Sequence, residues 1–194
     1  CVALVLILIL ITAQMPAAYA SYSSARLPIN PCTPEAHALI AKRMALQPKG
    51  RHINPAAIQK VKQVVQQCIH PGMTEFEKAV ALHDWLVTNA RYDLTYTHFS
   101  EDGVLLYGTG VCGSYAAAYD LLCKEAKLKS RYFGGYASGG AHGWIQVRID
   151  GKWYHVDCTW DDPVFDETDP LYTGYERHLY FGLNDAAMAV DHDF

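Results

Sequence analysis

The sequence predicts an α+β domain in which helices come first along the chain and an antiparallel sheet follows. Helical signals dominate residues 33–127, where apolar side chains recur at the spacing of one helix face. From Arg131 onwards apolar and polar residues alternate as in strands, and Asp150-Gly151 is a strong two-residue hairpin turn. With 194 residues, 51% hydrophobic and 19% charged, the chain is long and apolar enough to bury a core.

The first twenty residues predict a signal peptide. Residues 2–11 are an unbroken apolar run, and Ala18-Tyr19-Ala20 before Ser21 has the small-x-small form of a signal peptidase site. Because no initiating Met or basic segment precedes the run, we expect the sequence to be truncated at its start. The run is shorter than a membrane span of roughly 20 residues, although an uncleaved anchor remains the alternative. We therefore expect a secreted or periplasmic, cell-envelope protein that meets the membrane only through its export signal.

Residues 21–70 predict a linker followed by a helical extension. Thr33-Pro34 begins a helix that ends near Leu46, and Asn54-Pro55 repeats the same starting signal. Pro71-Gly72 ends the extension. We place a second domain at residues 71–194.

The second domain begins with a helix and ends with a sheet. Thr74 and Glu77 form a capping box that starts a helix ending near Ala90. Residues 91–110 predict a long irregular loop, a length typical of functional segments. The later predicted elements are a helix at 112–127, strands at 131–137, 143–149, 153–157 and 179–181, and a last helix from Asn184 to Ala189.

Cys112 is the candidate nucleophile. It follows a glycine-bounded turn and begins a helix, with Gly110 and Gly113 close on either side. A thiol with its ordinary pKa of about 8.5 needs stabilisation as a thiolate, which a helix N-terminus and a nearby imidazolium provide. The backbone N–H of Cys112 is also a candidate oxyanion donor. The alternative for a lone cysteine on an apolar helix is a buried core residue.

His142 and Asp157 are the candidate partners of this thiol. A hairpin that turns at Asp150-Gly151 pairs positions whose numbers sum to about 301. His142, just before the second strand, then lies close to Asp157 at the end of the third. His142 would act as the base that activates the thiol, and Asp157 would orient the imidazole. The alternatives are a surface histidine and a turn aspartate.

Other site classes have weaker support in the sequence. Trp144 and Trp160 are either core residues or an aromatic wall that binds an acyl substrate, and we include them as candidate substrate-binding residues.

No zinc or calcium motif is present, so we predict no metal and no cofactor. Asp161 and Asp162 begin an acidic loop that we expect to be solvated. The formal net charge of -4 and the lack of a basic patch argue against nucleic acid.

Three segments resemble the motifs of the transglutaminase-like superfamily, and the likeness extends from Thr74 to Phe194. They are Gly110-Val-Cys-Gly113, Ala141-His-Gly-Trp144 and Trp153-Tyr-His-Val-Asp-Cys-Thr-Trp-Asp-Asp-Pro163. The resemblance implies a papain-like core and a Cys-His-Asp triad, which falls on Cys112, His142 and Asp157. It also implies Tyr92 as a second oxyanion donor. Cys158 and Gly143 depart from the usual Pro and Ala of the motifs.

The functional hypothesis is an exported thiol enzyme that attacks an amide, a peptidase or amidase acting on proteins, peptides or cell-wall peptide. One alternative is a protein-glutamine gamma-glutamyltransferase, in which an amine resolves the acyl-enzyme. Another is a non-catalytic peptide-binding or scaffold module, and helices at 33–70 could also cover the cleft.

Cleavage after Ala20 leaves five cysteines, an odd number. Cys32 and Cys68 are a candidate disulfide pair, and Cys123 and Cys158 are expected in the core.

Overall fold

The computed structural model describes residues 52–138, 140–162 and 178–194. The predicted signal peptide, the linker and the first predicted helix lie outside the described residues. The helices are α1 (Pro55–Cys68), α2 (Glu75–Asn89), α3 (Cys112–Glu125), α4 (Cys158–Asp161) and α5 (Asp185–Met188), with a π-helical turn at Gly103–Tyr107. The strands are β1 (Arg91–Tyr92), β2 (Thr109–Gly110), β3 (Lys129–Ala137), β4 (Gly140–Ile149), β5 (Lys152–Val156), β6 (Phe181–Leu183) and β7 (His192–Asp193).

Capping side chains set where α1 and α2 begin. The Asn54 side chain accepts a hydrogen bond from the backbone N–H of Ala56, directly before the first turn of α1. Thr74 and Glu77 form the predicted capping box at the start of α2. Both helices therefore begin at the residues that the sequence signals indicate.

The segment between α2 and α3 is more ordered than predicted. Strand β1 pairs in parallel with β2, so that Tyr92 lies opposite Gly110. The carboxylate of Asp93 closes the loop by accepting hydrogen bonds from the backbone N–H groups of Thr95 and His98. The prediction of an irregular loop was therefore wrong at its ends. The pairing fixes the two residues that lead into Cys112.

A five-stranded antiparallel sheet carries the rest of the fold, with strand order β6-β5-β4-β3-β7. The predicted hairpin register is confirmed, because Ile145 pairs with Val156 and Ile149 with Lys152. Asp150 and Gly151 have positive φ angles of 49° and 83°, as a type I′ turn requires.

Among the strand boundaries that differ from the sequence predictions, two change the setting of the site residues. Strand β4 begins at Gly140, which places His142 within the strand rather than before it. Strand β5 ends at Val156, and Asp157 instead caps α4. His142 gains the rigidity of a paired strand, and the carboxylate of Asp157 is free to accept hydrogen bonds from the turn that follows.

The core lies between the helices and one face of the sheet. Ala57, Val61 and Val64 of α1 are buried in the same cluster as side chains of α2, α3 and β4. Helix α1 is thus part of this core, whereas the proposed boundary at residue 70 stays a prediction. The α+β class is confirmed. In the described ranges, none of the helices combines the length and the hydropathy needed to cross a bilayer.

Candidate active site

Cys112 is the first residue of α3 and lies below the surface with 1% of its area exposed. Gly110, two residues before Cys112, leaves no space for a side chain. A Cβ at Gly110 would lie 2.3 Å from the Ser114 Oγ, whereas a Cβ at Gly113 would meet Phe99 O only at 3.5 Å. The close approach of Gly110 to the first turn of α3 therefore sets the position of the thiol.

His142 lies between the thiol and a carboxylate. Its Nε2 is 2.6 Å from Asp157 Oδ2, and its ring also hydrogen-bonds with Cys112. Since Nε2 is occupied by the carboxylate, the thiol contact falls to Nδ1. Burial alone would lower the pKa of His142, but the negative charges of Asp157 and Cys112 and the hydrogen bonds to both raise it to about 10. These interactions therefore favour the imidazolium form of His142.

Both oxygens of Asp157 accept hydrogen bonds. Oδ1 accepts from the backbone N–H groups of Thr159 at 3.0 Å and Trp160 at 3.3 Å. Oδ2 accepts from His142 and, at 3.1 Å, from Nε2 of His192. Burial would raise the pKa of Asp157, yet the charge and hydrogen bond of His142 and the hydrogen bond of His192 hold it well below its usual range. Asp157 is therefore held as a carboxylate.

His192 is the site residue that sequence reasoning missed. Asp191 and His192 lie in the C-terminal stretch covered by the resemblance, where the sequence shows only a histidine flanked by two aspartates. In the structure His192 is buried, and its Nδ1 lies 2.6 Å from Asp191 Oδ1. A histidine between acidic residues close to predicted strands is a signal that could have pointed to it. Sequence alone gave no partner for it.

The structure places the other candidate residues around this chain of contacts. Trp144 and Trp160 are 1% and 6% exposed and pack against His142, with ring centroids 6.0 and 5.7 Å away. They form the wall behind the imidazole in this structure, and substrate binding by them stays a prediction. Tyr92 is buried and lies opposite Gly110 in the β1–β2 pair. Its role as an oxyanion donor also stays a prediction.

Two buried aspartates anchor the turn that carries Asp157. Asp161 Oδ2 lies 3.1 Å from Nε2 of His83 on α2, and Asp162 accepts a hydrogen bond from the Tyr115 hydroxyl on α3. The prediction of a solvated acidic loop was wrong for Asp161 and Asp162, because both are buried. The remaining acidic residues of that loop, Asp166, Glu167 and Asp169, lie outside the described residues.

The other described cysteines differ from Cys112 in their surroundings. Burial raises the pKa of the Cys123 thiol, and burial together with the charge of Asp157 raises that of Cys158 well above its usual range. Both are free thiols, as is Cys68, whose predicted partner Cys32 lies outside the described residues. Cys123 and Cys158 are therefore expected to stay protonated and unreactive.

Two groups in the described part of the chain have a composition that suits metal ligation, with donor atoms within 4.8 Å of one another. One is His142, Asp157 and His192, and the other is His83, Asp84 and His178. In both groups the histidines are hydrogen-bonded to the aspartate. The expectation of no metal stays a prediction.

Comparison with known proteins assigns the family. The family model described as the transglutaminase-like superfamily matches residues 62–158, half of the chain. The chain belongs to the transglutaminase-like superfamily. The matched range includes Cys112, His142 and Asp157, and it begins within α1.

Individual proteins are similar to parts of this chain. The kyphoscoliosis peptidase of Mus musculus is 22% identical over 150 residues, which are 68% of this chain and 23% of that protein. The Homo sapiens kyphoscoliosis peptidase is 22% identical over 148 residues, 67% of this chain and 22% of that protein. The chain thus spans less than a quarter of the length of these relatives. A TGase crystal structure matches with a TM-score of 0.50 at 14% identity, over 73% of this chain and 40% of that one, which shows the shared fold.

Proposed function

We propose that this protein is a cysteine-dependent enzyme that attacks an amide through Cys112, His142 and Asp157. The observation that carries the proposal is the position of His142 between Cys112 and Asp157, with its Nε2 2.6 Å from the carboxylate and its pKa raised by interactions with both residues. A buried thiol next to an imidazolium is a nucleophile, and the carboxylate keeps the imidazole in the required tautomer.

The proposed reaction proceeds through an acyl-enzyme. His142 holds the proton of Cys112, and the thiolate attacks the carbonyl carbon of the amide. The carbonyl π electrons move to the oxygen, which the backbone N–H of Cys112 and the hydroxyl of Tyr92 would stabilise. Collapse of this intermediate breaks the C–N bond, and the leaving amine takes the proton from His142. A thioester to Cys112 remains.

Water is the proposed acceptor that resolves the thioester, so the enzyme would be a peptidase or amidase. The names of the mouse and human relatives, both peptidases, favour this outcome. Transfer to an amine, as in a protein-glutamine gamma-glutamyltransferase, uses the same three residues and is the second candidate. Export to the cell envelope is proposed on residues 1–20, with protein, peptide or cell-wall peptide as substrate.

Alkylation by iodoacetamide tests whether the thiol is activated. Intact-protein and peptide mass spectrometry on the folded protein should find fast modification at Cys112 and slow modification at Cys123 and Cys158. Cys112→Ala should remove the fast phase, and His142→Ala should slow it strongly. A non-catalytic module is the better description if Cys112 reacts no faster than Cys123, or if its rate does not depend on His142.

A second measurement separates hydrolysis from amine transfer. The protein is incubated with a peptide library containing internal glutamine, with and without a primary amine, and products are read by mass spectrometry. Cleaved peptides or deamidated glutamine support hydrolysis. Amine adducts without hydrolysis would refute the hydrolase proposal and favour transamidation. Cys112→Ala is the control for both products.

A further inference from the structure

His192 shares the orienting carboxylate with His142. Its Nε2 lies 3.1 Å from Asp157 Oδ2, the same oxygen that accepts the hydrogen bond of His142 at 2.6 Å. The two imidazole rings are 5.6 Å apart. Asp157 therefore has a histidine on two sides. Of the two, His142 is the one whose pKa is raised by interaction with Cys112.

A second carboxylate holds His192. Its Nδ1 lies 2.6 Å from Asp191 Oδ1, and the other oxygen of Asp191 accepts a hydrogen bond from the Tyr180 hydroxyl at 2.9 Å. Strand pairing between Ala137 and His192 fixes the backbone of this histidine. Tyr180, Asp191 and His192 thus repeat, one step further from the thiol, the arrangement in which a carboxylate orients an imidazole.

Aromatic rings enclose His192. Its centroid lies 4.5 Å from that of Trp160 and 4.9 Å from that of Trp144, and 1% of its surface is exposed. The titratable groups around it lie on β4, β5, the N-cap of α4 and the C-terminal segment, and they are His142, His155, Asp157, Tyr180 and Asp191. A histidine buried in this way is fixed in one orientation, with both ring nitrogens directed at carboxylates.

We propose that His192 is a positioning residue that holds Oδ2 of Asp157 towards His142, and that Asp191 and Tyr180 hold His192 in turn. The inference rests on the proposed function of the triad. A buried carboxylate with one donor on Oδ2 keeps a spare lone pair, and burying an unsatisfied charged group is costly. The second imidazole occupies that position. It keeps Asp157 paired when His142 gives its proton to the leaving amine.

Two amide substitutions of His192 separate the effect of its hydrogen-bond donor from the effect of its aromatic ring. The amide nitrogen of glutamine lies near the position of a histidine Nε2, whereas that of asparagine lies near Nδ1. His192→Gln therefore keeps a donor for Asp157, and His192→Asn keeps only the donor towards Asp191. The two variants lose the same ring and carry the same functional group, so each is the control for the other.

The readout is the pH profile of Cys112 alkylation in the folded full-length protein. We expect His192→Asn to lower the plateau rate about 10-fold, the effect typical of groups that orient a functional histidine. The pH of half-maximal rate, which belongs to the coupled Cys112–His142 pair, should rise, because a less well oriented imidazolium stabilises the thiolate less. His192→Gln should stay within about threefold of wild type at an unchanged half-maximal pH.

Three outcomes overturn the inference. A wild-type rate and pH profile in His192→Asn would make His192 a packing residue. Equal losses in His192→Gln and His192→Asn would assign the effect to the ring rather than to its donor. If both variants unfold, Asp191→Asn is measured instead, because this variant keeps the His192 ring and removes the charge that orients the ring. An unchanged pH profile of alkylation in Asp191→Asn also refutes the inference. Slow, His142-independent alkylation in wild type would instead reject the proposed function itself.

Discussion

Asp157→Asn should invert the hydrogen bonding at the centre of the site. Oδ1 of Asp157 accepts hydrogen bonds from the backbone N–H groups of Thr159 and Trp160, so the oxygen of the substituted amide must stay there. The amide NH₂ then replaces Oδ2 and faces the Nε2 atoms of His142 and His192. A neutral His142 can satisfy this donor only by carrying its own proton on Nδ1, towards Cys112. In that tautomer it cannot accept the proton of the thiol.

The direction of the effect on proton transfer follows from the pKa of His142. Burial lowers that pKa, and the negative charge of Asp157 is the largest of the influences that raise it to about 10. The loss of Asp157 should therefore lower the pKa of His142 and leave the imidazole less able to hold the proton of the thiol. In Ser-His-Asp enzymes the same change lowers turnover about 10⁴-fold.

Because the inverted tautomer cannot take the thiol proton, we expect the alkylation rate of Cys112 in Asp157→Asn to be about 100-fold or more below wild type at neutral pH, in line with the large loss in Ser-His-Asp enzymes. Iodoacetamide kinetics followed by mass spectrometry measure this rate, and circular dichroism confirms that the variant is folded. Asp185→Asn is the matched control, because Asp185 also pairs with a histidine, His155, at 3.0 Å but is exposed. A folded Asp157→Asn protein that reacts at the wild-type rate, with the same pH profile, would refute the reasoning.

Two further predictions concern stability. Gly110→Ala should lower the free energy of unfolding by about 1–3 kcal/mol, because the new Cβ would lie 2.3 Å from Ser114 Oγ. Gly113→Ala is the control and should be tolerated. Equal stability of the two variants in urea unfolding would contradict this prediction. The pKa of His83, lowered by burial but raised to about 9 by Asp161 and Asp84, implies stability that is present below pH 6.5 and lost as the pH rises towards 9. Between these pH values the wild type should lose more unfolding free energy than His83→Gln; parallel curves would count against this interpretation.

The parts of the site that could be predicted are those that local sequence controls. The Asp150-Gly151 turn fixes the hairpin register, and the register brings His142 and Asp157 together. The start of α3 at Cys112 follows from the glycine-bounded turn before it. Turn chemistry and helix signals act over a few residues, so they can be identified without knowing the rest of the fold.

The parts that could not be predicted depend on contacts between distant segments. The β1–β2 pair joins residues 91–92 to residues 109–110 across a loop, and no periodic pattern marks strands of two residues. The contact between His192 and Asp157 spans 35 positions. Asp161 is buried against His83, 78 positions away. Sequence patterns show an acidic turn and a polar terminus, whereas only the tertiary structure supplies the partners that bury them.

Three neighbouring aspartates differ in environment, and the difference singles out Asp157 as the proposed orienting carboxylate. Asp157, Asp161 and Asp162 are all buried, and burial alone raises the pKa of each. Only Asp157 ends with a lowered pKa, because the charge of His142 and hydrogen bonds from His142 and His192 outweigh its burial. Burial prevails at Asp162, whose pKa rises to about 7. The ionised state of the orienting carboxylate thus depends partly on a histidine of the C-terminal strand, which makes that strand part of the proposed catalytic unit.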